Sequence, residues 1–464
     1  MLFNSLEFCL FFPLVWLIFN CLPKQTSKRN LLLLASLFFY GYWNWTYLIL
    51  LISTSTIDFF CAKFLYRAKE KSTRQKWLLA SILSNLTVLG FFKYGLFFGR
   101  QLHQFDLVAN IPNWLNVLLP VGISFYTFQA MAYVIDVYRN RLKPETSFPQ
   151  FLLFISFFPQ LVAGPIERAP HLLGQLRNLV PIKTEKIVPA LYLIMWGFWK
   201  KIFIADRLGV YVDAVFEDPN RANGLQIVIG TLFFGFQIYG DFSGYSDIAR
   251  GIARFFGIDL MVNFDAPYLS GSLREFWRRW HISLSGWFRD YVFIPLGGSH
   301  GKESKISVNL LIVFILSGFW HGANWTFLLW GFWHGIGLVA ERFLRKKIPA
   351  FFFNQVFVLL WIFSGWAIFR SNSIADLGIL CRKLLLFHSS HLDEINLFHS
   401  NSEFLLAFLG LGILLWVEKI KSKFSVADWV NQARITTITG LSIAFLLLLL
   451  FGKFKGQDFI YFQF

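Results

Sequence analysis

The sequence predicts an all-α, polytopic membrane bundle, and three observations carry that prediction. Apolar residues make up 56% of the 464 and charged residues only 15%, against about 25% charged in soluble domains. The apolar residues fall into runs of membrane-crossing length separated by short polar joints. Fifty-seven phenylalanines and 18 tryptophans suit lipid-facing surfaces and interfacial belts better than a water-bounded core, as does a mean hydropathy of +0.52. The net charge of +16 raises nucleic acid as a partner. The basic residues instead cluster in joints between apolar runs, the pattern expected for anionic headgroups, so nucleic acid is excluded and the lipid bilayer takes its place.

Taken in order, the candidate spans are Leu6–Leu22, Leu31–Trp45, Tyr47–Leu65, Trp77–Phe92, Trp114–Tyr138, Phe151–Val162, Ile187–Ile204, Leu225–Tyr239, Ser307–Phe319, Asn324–Ala340, Phe353–Phe369, Phe404–Val417 and Ile435–Phe451. A spanning helix needs about 20 apolar residues, so the shorter runs are expected to be re-entrant or buried inside the bundle. The first run lacks a positive n-region and a small-residue cleavage motif, and reads as a retained helix. No internal repeat and no Ser/Gly/Pro linker divides the chain, so residues 1–464 are expected to form a single helical domain. Cys9, Cys21, Cys61 and Cys381 form no CxxC pair and read as packing residues.

One stretch concentrates unusual chemistry. Ser317 to Gly337 holds two histidines, four tryptophans and five glycines with no formally charged residue. A titratable imidazole in an apolar run is costly and usually faces a bundle interior or a wet cavity, where it suits acid–base chemistry near neutral pH. His321 and His334 stand thirteen residues apart. On one continuous helix they would point about 140° apart and lie about 20 Å from one another. They share a small site only if the helix breaks near Gly322–Asn324; otherwise one is structural, and His334, with its small-xxx-small glycines, fits helix packing with a hydrogen bond across helices.

Upstream, arginines and aromatics alternate through Arg274–Arg289, with His281 directly after Arg278, Arg279 and Trp280. That stretch reads as one amphipathic helix at the headgroup level, with His281 a candidate for an embedded functional role. Asp58 and Asp136 each lie inside an apolar run; pairing with a basic residue is the plainer reading, and a proton path the alternative. The chain has no GxSxG elbow, HExxH, Walker loop or complete GxGxxG. His388, His391 and His399 lack the spacing and carboxylate partners of a metal site and read as a solvated outer loop.

Together the blocks MLFNSLEF, RNLLLLASLFFYGYWNW, Pro120–Gln129, Phe157–Pro170, Gln237–Gly251, Asn263–Gly298, Ser317–Gly335 and the terminal FIYFQF resemble the membrane-bound O-acyltransferase (MBOAT) superfamily, in its bacterial branch containing the alginate O-acetyltransferases. The resemblance implies about eleven transmembrane helices around a central tunnel, with further re-entrant and interfacial helices. His321, in the Trp-His-Gly motif, matches the superfamily's invariant histidine, and His281 its second functional position. Trp320, Asn324 and His334 are assigned to substrate binding. The implied donor is a cytoplasmic acyl thioester such as acetyl-CoA, used as substrate, with no bound cofactor and no metal. The implied acceptor is an extracytoplasmic glycan, or a periplasmic SGNH-like acetyltransferase partner, in a bacterial inner membrane. D-alanyl transfer toward a cell-wall polymer is the more distant family alternative. A transporter, which would show inverted repeats, and a non-catalytic scaffold are the alternatives from other classes.

The chemistry is self-consistent. A sugar hydroxyl is too weakly acidic to attack a thioester unaided, a neutral imidazole can take its proton, and a second imidazole or an indole N–H can polarise the carbonyl. Orientation follows from the clusters Lys24–Arg29 and Arg67–Lys76 against the uncharged turn Gly41–Thr46: the N-terminus is outside and the basic loops are cytoplasmic. Cysteines introduced at Ser27 and Ser72 are therefore expected to react with an impermeant thiol reagent only after the cytoplasmic face is opened; labelling of intact cells would reverse the orientation.

Overall fold

The computed structural model describes all residues except 163, 346–353, 387–394, 399, 422–433, 455–458 and 461–464. The histidines at 388, 391 and 399 thus lie outside the described residues. Among the described residues the ordered elements are all helical, and five helical stretches are long and apolar enough to cross a membrane: Trp45–Arg67, Lys71–Gln104, Thr184–Phe216, Gly224–Phe255 and Glu303–His321. Shorter apolar helices occupy Leu6–Cys21, Gln355–Arg370 and Ile438–Phe451. The chain divides into two compact units, Met1–Ile194 with Ser246–Met261, and Met195–Tyr245 with Val262–Phe464.

The first unit contains α1 (Leu6–Cys21), α2 (Gln25–Gly41), α3 (Trp45–Arg67), α4 (Lys71–Leu89), a π-turn at Gly90–Tyr94, α5 (Gly95–Gln104), α6 (Ile123–Tyr138), α7 (Phe148–Ser156), α8 (Phe158–Leu161), α9 (Ala169–Arg177) and most of α10 (Thr184–Phe198). Two expected spans change here. Trp114–Tyr138 is helical only from Ile123, apart from a short 3-10 turn at Asn113–Leu115. Pro120 lacks an amide hydrogen and Gly122 takes a left-handed conformation (φ 75°), so the helix begins after them. Phe151–Val162 breaks at Phe157, because Pro159 has no N–H and its ring would meet the carbonyl four residues back. Two motif glutamines repair the break: Gln129 and Gln160 both donate to the Phe154 carbonyl, at 2.7 and 2.9 Å.

Buried carboxylates in this unit are met by neutral as well as titratable partners. Asp58 on α3 accepts from Ser81 Oγ at 2.5 Å and from Asn85 Nδ2 at 2.8 Å, both on α4. The expected basic partner is not among these; two neutral donors clasp the helix pair instead. Glu167, fully buried, accepts the Met261 amide at 2.6 Å and faces His171 Nδ1 at 2.7 Å. That hydrogen bond raises the His171 imidazole above its ordinary range.

The second unit carries a π-helical segment at Trp199–Ala205, α11 (Asp206–Phe216), the N-terminal part of α12 (Gly224–Phe255), α13 (Leu273–Arg279), α14 (Ile282–Phe288), a π-turn at Arg289–Phe293, α15 (Glu303–His321), α16 (Trp325–Leu344), α17 (Gln355–Arg370), α18 (Ile374–Leu385), α19 (Asn401–Lys421) and α20 (Arg434–Phe451). Helix α15 ends at His321, Gly322 is extended, and Asn324 caps α16 by accepting the Thr326 amide at 3.2 Å. The two helices fold back on each other as a hairpin, so His321 and His334 do not lie on one continuous helix.

Two glycines permit that hairpin. A Cβ on Gly318 would overlap the Phe327 carbonyl and approach Gly331 Cα; a Cβ on Gly331 would overlap the Phe314 carbonyl. The backbones meet where only hydrogen fits, the small-residue packing favoured in membranes. Gly331→Val is expected to lower unfolding stability in detergent by about 1–3 kcal/mol through overpacking; a melting temperature equal to the wild type's would show that the helices can part at little cost.

Candidate active site

The turn at Gly322–Asn324 brings both histidines of the Trp/Gly-rich stretch to a single indole. The His321 ring lies 5.0 Å from Trp330, and the His334 ring lies 5.0 Å from Trp330 as well. All three are buried. The separation argument that set His334 aside is overturned here, because it assumed the helical continuity that Gly322 breaks. The hydrogen bond across helices expected for His334 is not found: among the described residues neither ring nitrogen has a hydrogen-bond partner. Its imidazole is instead edge-on to Trp277 at 4.9 Å and faces Trp366 at 6.4 Å, with Gly365 leaving room for the ring.

His281 reaches the same cluster from the other side. The expected amphipathic helix Arg274–Arg289 is in fact two helices, α13 and α14, because His281 itself adopts a left-handed conformation (φ 43°, ψ 55°) at the joint. For a non-glycine residue that conformation costs about 1–3 kcal/mol and persists only when its surroundings enforce it. Here they do. Asn263 Oδ1 accepts from Ser283 Oγ at 2.8 Å and from the Ser283 amide at 3.2 Å, and lies 3.2 Å from His281 Nδ1. The Asn263 carbonyl also accepts the Ile282 amide at 2.9 Å. One buried side chain thus sets the reverse turn and orients the imidazole. The kink turns His281 inward, buried, while Arg274 and Arg278 stay exposed on α13.

The indole of Trp320 contacts both candidate imidazoles. Its ring lies 6.1 Å from His281 and 5.0 Å from His321. Phe242 contacts His281 edge-on at 4.6 Å, and Phe369 contacts His321 at 5.4 Å. Trp277, Trp280, Trp330 and Trp366 continue the aromatic wall, with Trp280 and Trp366 4.8 Å apart. Asn324, assigned to substrate binding, is engaged elsewhere: its Oδ1 caps α16 and its Nδ2 donates to the Asn372 carbonyl at 2.7 Å. His281, Trp320, His321 and His334 are therefore brought together, and Asn324 braces the turn beside them.

Asn263 and the tryptophans of α13 and α17 escaped the sequence reading, as did a buried ionic trio. Lys201, in the π-segment, contacts Asp206 at 2.8 Å and Asp241 at 2.7 Å, all three buried. The available signal was Lys200-Lys201 at the end of an apolar run with Asp206 five residues on. Among the described residues no group of three or more His, Cys, Asp or Glu side chains is placed to hold a metal ion. What the cluster offers is imidazole acid–base chemistry beside indole N–H groups, inside an apolar enclosure. Asn263→Ala is expected to cost about 1–3 kcal/mol of stability by stranding buried donors, read as a lowered unfolding midpoint in detergent; an unaltered midpoint would show that the His281 turn does not depend on it.

Comparison with known proteins points the same way. The family model for MBOAT, the membrane-bound O-acyltransferase family, matches residues 8–375. The peptidoglycan O-acetyltransferase of Helicobacter pylori is 35% identical over 376 residues, covering 74% of this chain and 71% of that protein. The Pseudomonas aeruginosa protein named "Probable alginate O-acetylase AlgI" is 35% identical over 438 residues, covering 93% of this chain and 83% of that protein. The teichoic acid D-alanyltransferase of Streptococcus thermophilus is 34% identical over 246 residues, covering 49% of this chain and 58% of that protein.

Proposed function

The chain belongs to the membrane-bound O-acyltransferase family and is a multi-pass membrane O-acyltransferase, and from that premise we propose that it moves an acetyl group from a cytoplasmic thioester, acetyl-CoA or a related donor, toward a hydroxyl of an extracytoplasmic polysaccharide. Both relatives aligned over most of their length are named for O-acetylation of a glycan. The D-alanyltransferase match covers about half of each chain, which makes acetyl the favoured group. The chain sits in the bacterial inner membrane with its basic loops in the cytoplasm, and the acetyl group passes to the glycan directly or through a periplasmic SGNH-like acetyltransferase.

The observation that carries the catalytic assignment is that His281 and His321 both contact one buried indole, Trp320. His321 acts as general base and takes the proton of the acceptor hydroxyl as its oxygen attacks the thioester carbonyl carbon. The carbonyl π electrons move onto oxygen, and the tetrahedral oxyanion is met by a hydrogen-bond donor, the Trp320 indole N–H or the Nε2–H of a protonated His281, whose Nδ1–H faces Asn263 Oδ1. Collapse restores the C=O, breaks the C–S bond, and returns the proton from the His321 imidazolium to the departing thiolate. The aromatic wall keeps water, the competing nucleophile, away from the thioester. His334, at the far side of Trp330, lines the acceptor or donor path.

His321→Ala is expected to abolish acyl transfer from labelled acetyl-CoA in a protein that still inserts and purifies folded, and His281→Ala to cut kcat strongly by removing transition-state stabilisation. Loss of only a few-fold in folded His321→Ala would rule out its role as base. Transfer from a D-alanyl carrier protein, and none from acetyl-CoA, would reassign the donor.

A further inference from the structure

His281 depends on more than Asn263. Its edge-on contact with Phe242 (4.6 Å) belongs to a chain of buried rings that includes Phe459. Phe242 lies 5.8 Å from Phe459, and Tyr245 lies 4.5 Å from it. Phe242 and Tyr245 sit three residues apart on α12, on adjoining faces of one turn, so the Phe459 ring wedges between them. Phe459 and Ile460 form a short described segment, and both are buried. Its anchor is polar. The Ile460 amide donates to Asp241 Oδ2 at 2.6 Å, while Asp241 Oδ1 faces Lys201 at 2.7 Å and Lys201 also contacts Asp206. In that trio two carboxylates face one ammonium, so the backbone N–H gives the excess negative charge a second donor where little water reaches. A buried carboxylate needs such partners.

We propose that Phe459 is a positioning residue for His281, clamped by the Ile460–Asp241–Lys201 lock and acting through Phe242. The inference rests on the assignment of His281 to the reaction. The left-handed turn at His281 is strained, so the imidazole stays in place only while both sides hold it: Asn263 fixes its Nδ1 side, and Phe242, backed by Phe459, blocks retreat of the ring. Deleting the Phe459 ring opens space behind Phe242, and the imidazole loses its stop. A misplacement of about 1 Å can cost about a hundredfold in rate.

The test uses the full chain, purified in detergent or reconstituted, with labelled acetyl-CoA and a glycan acceptor, and with kcat, KM and melting temperature read together. Phe459→Ala is expected to lower kcat by about ten- to a hundredfold with KM little changed, and Phe459→Leu, which refills most of the space, to restore most of the rate. Phe233→Ala, which removes a buried ring packed on Tyr211, Phe398 and Phe408, is the control: it is expected to lower the melting temperature without lowering kcat per folded molecule. Asp241→Asn keeps an acceptor for the Ile460 amide but weakens the lock, and is expected to fall between wild type and Phe459→Ala. Wild-type kcat in folded Phe459→Ala, or equal losses in Phe459→Ala and Phe233→Ala, would overturn the inference while leaving the proposed function intact, provided His321→Ala is inactive in the same assay. If the wild-type protein transfers no acyl group, the proposed function falls and the inference falls with it.

Discussion

Backbone-to-backbone contact between α15 and α16 at Gly318 and Gly331 is the constraint on which the candidate site depends. Neither glycine tolerates a Cβ against the carbonyl it faces, and their closeness lets the chain reverse within Gly322–Asn324. The reversal places His321 and His334 on one indole instead of about 20 Å apart along a rod. The Trp320, Trp330 and Trp333 rings then project from the hairpin at positions its register sets, and Trp333 stacks on Trp361 of α17 at 4.2 Å. Without a hydrophobic force between helices in lipid, such close packing is what holds a membrane hairpin together.

The site is built from two opposing kinds of enclosure. Apolar rings surround the imidazoles, the water-excluding enclosure that the proposed mechanism requires. Polar anchors sit one residue further out: Asn263 behind His281, Asn324 behind the turn, and the Lys201 trio behind Phe242. Each is buried or half-buried and hydrogen-bonded, as groups in a medium of low polarity must be. The strain at His281 is tolerated because these anchors over-determine it. Amides and ion pairs thus hold the geometry around the imidazoles.

The first unit shows the same economy in a different setting. Helix breaks at Phe157 and Gly122 come from prolines and a glycine, and glutamines from neighbouring motifs satisfy the carbonyl that the break exposes. Asp58 is clasped by Ser81 and Asn85. The motif blocks of this chain therefore include residues that repair irregular backbone, and Gln129 and Gln160 each have a structural reason to be where they are.

Much was legible in the residues alone. Run length and charge placement determined a polytopic helical membrane protein, an imidazole inside an apolar run pointed to His321 and an arginine- and aromatic-rich segment to His281, and the motif blocks determined the family. These properties are local or compositional, since hydropathy and spacing act through the lipid environment and need no partner. Other features were not legible. The sequence shows glycines at Gly318, Gly322 and Gly331, but a glycine permits both a straight helix and a turn, and only packing against Phe314 and Phe327 selects the turn. Arg274–Arg289 has the periodicity of one helix, yet Asn263, a partner well upstream in the chain, bends it at His281. Lys201 finds Asp241 forty residues on, and Asp241 finds Ile460 over two hundred residues on. Which imidazoles meet at which indole is a long-range outcome, decided by contacts between segments that no local pattern encodes.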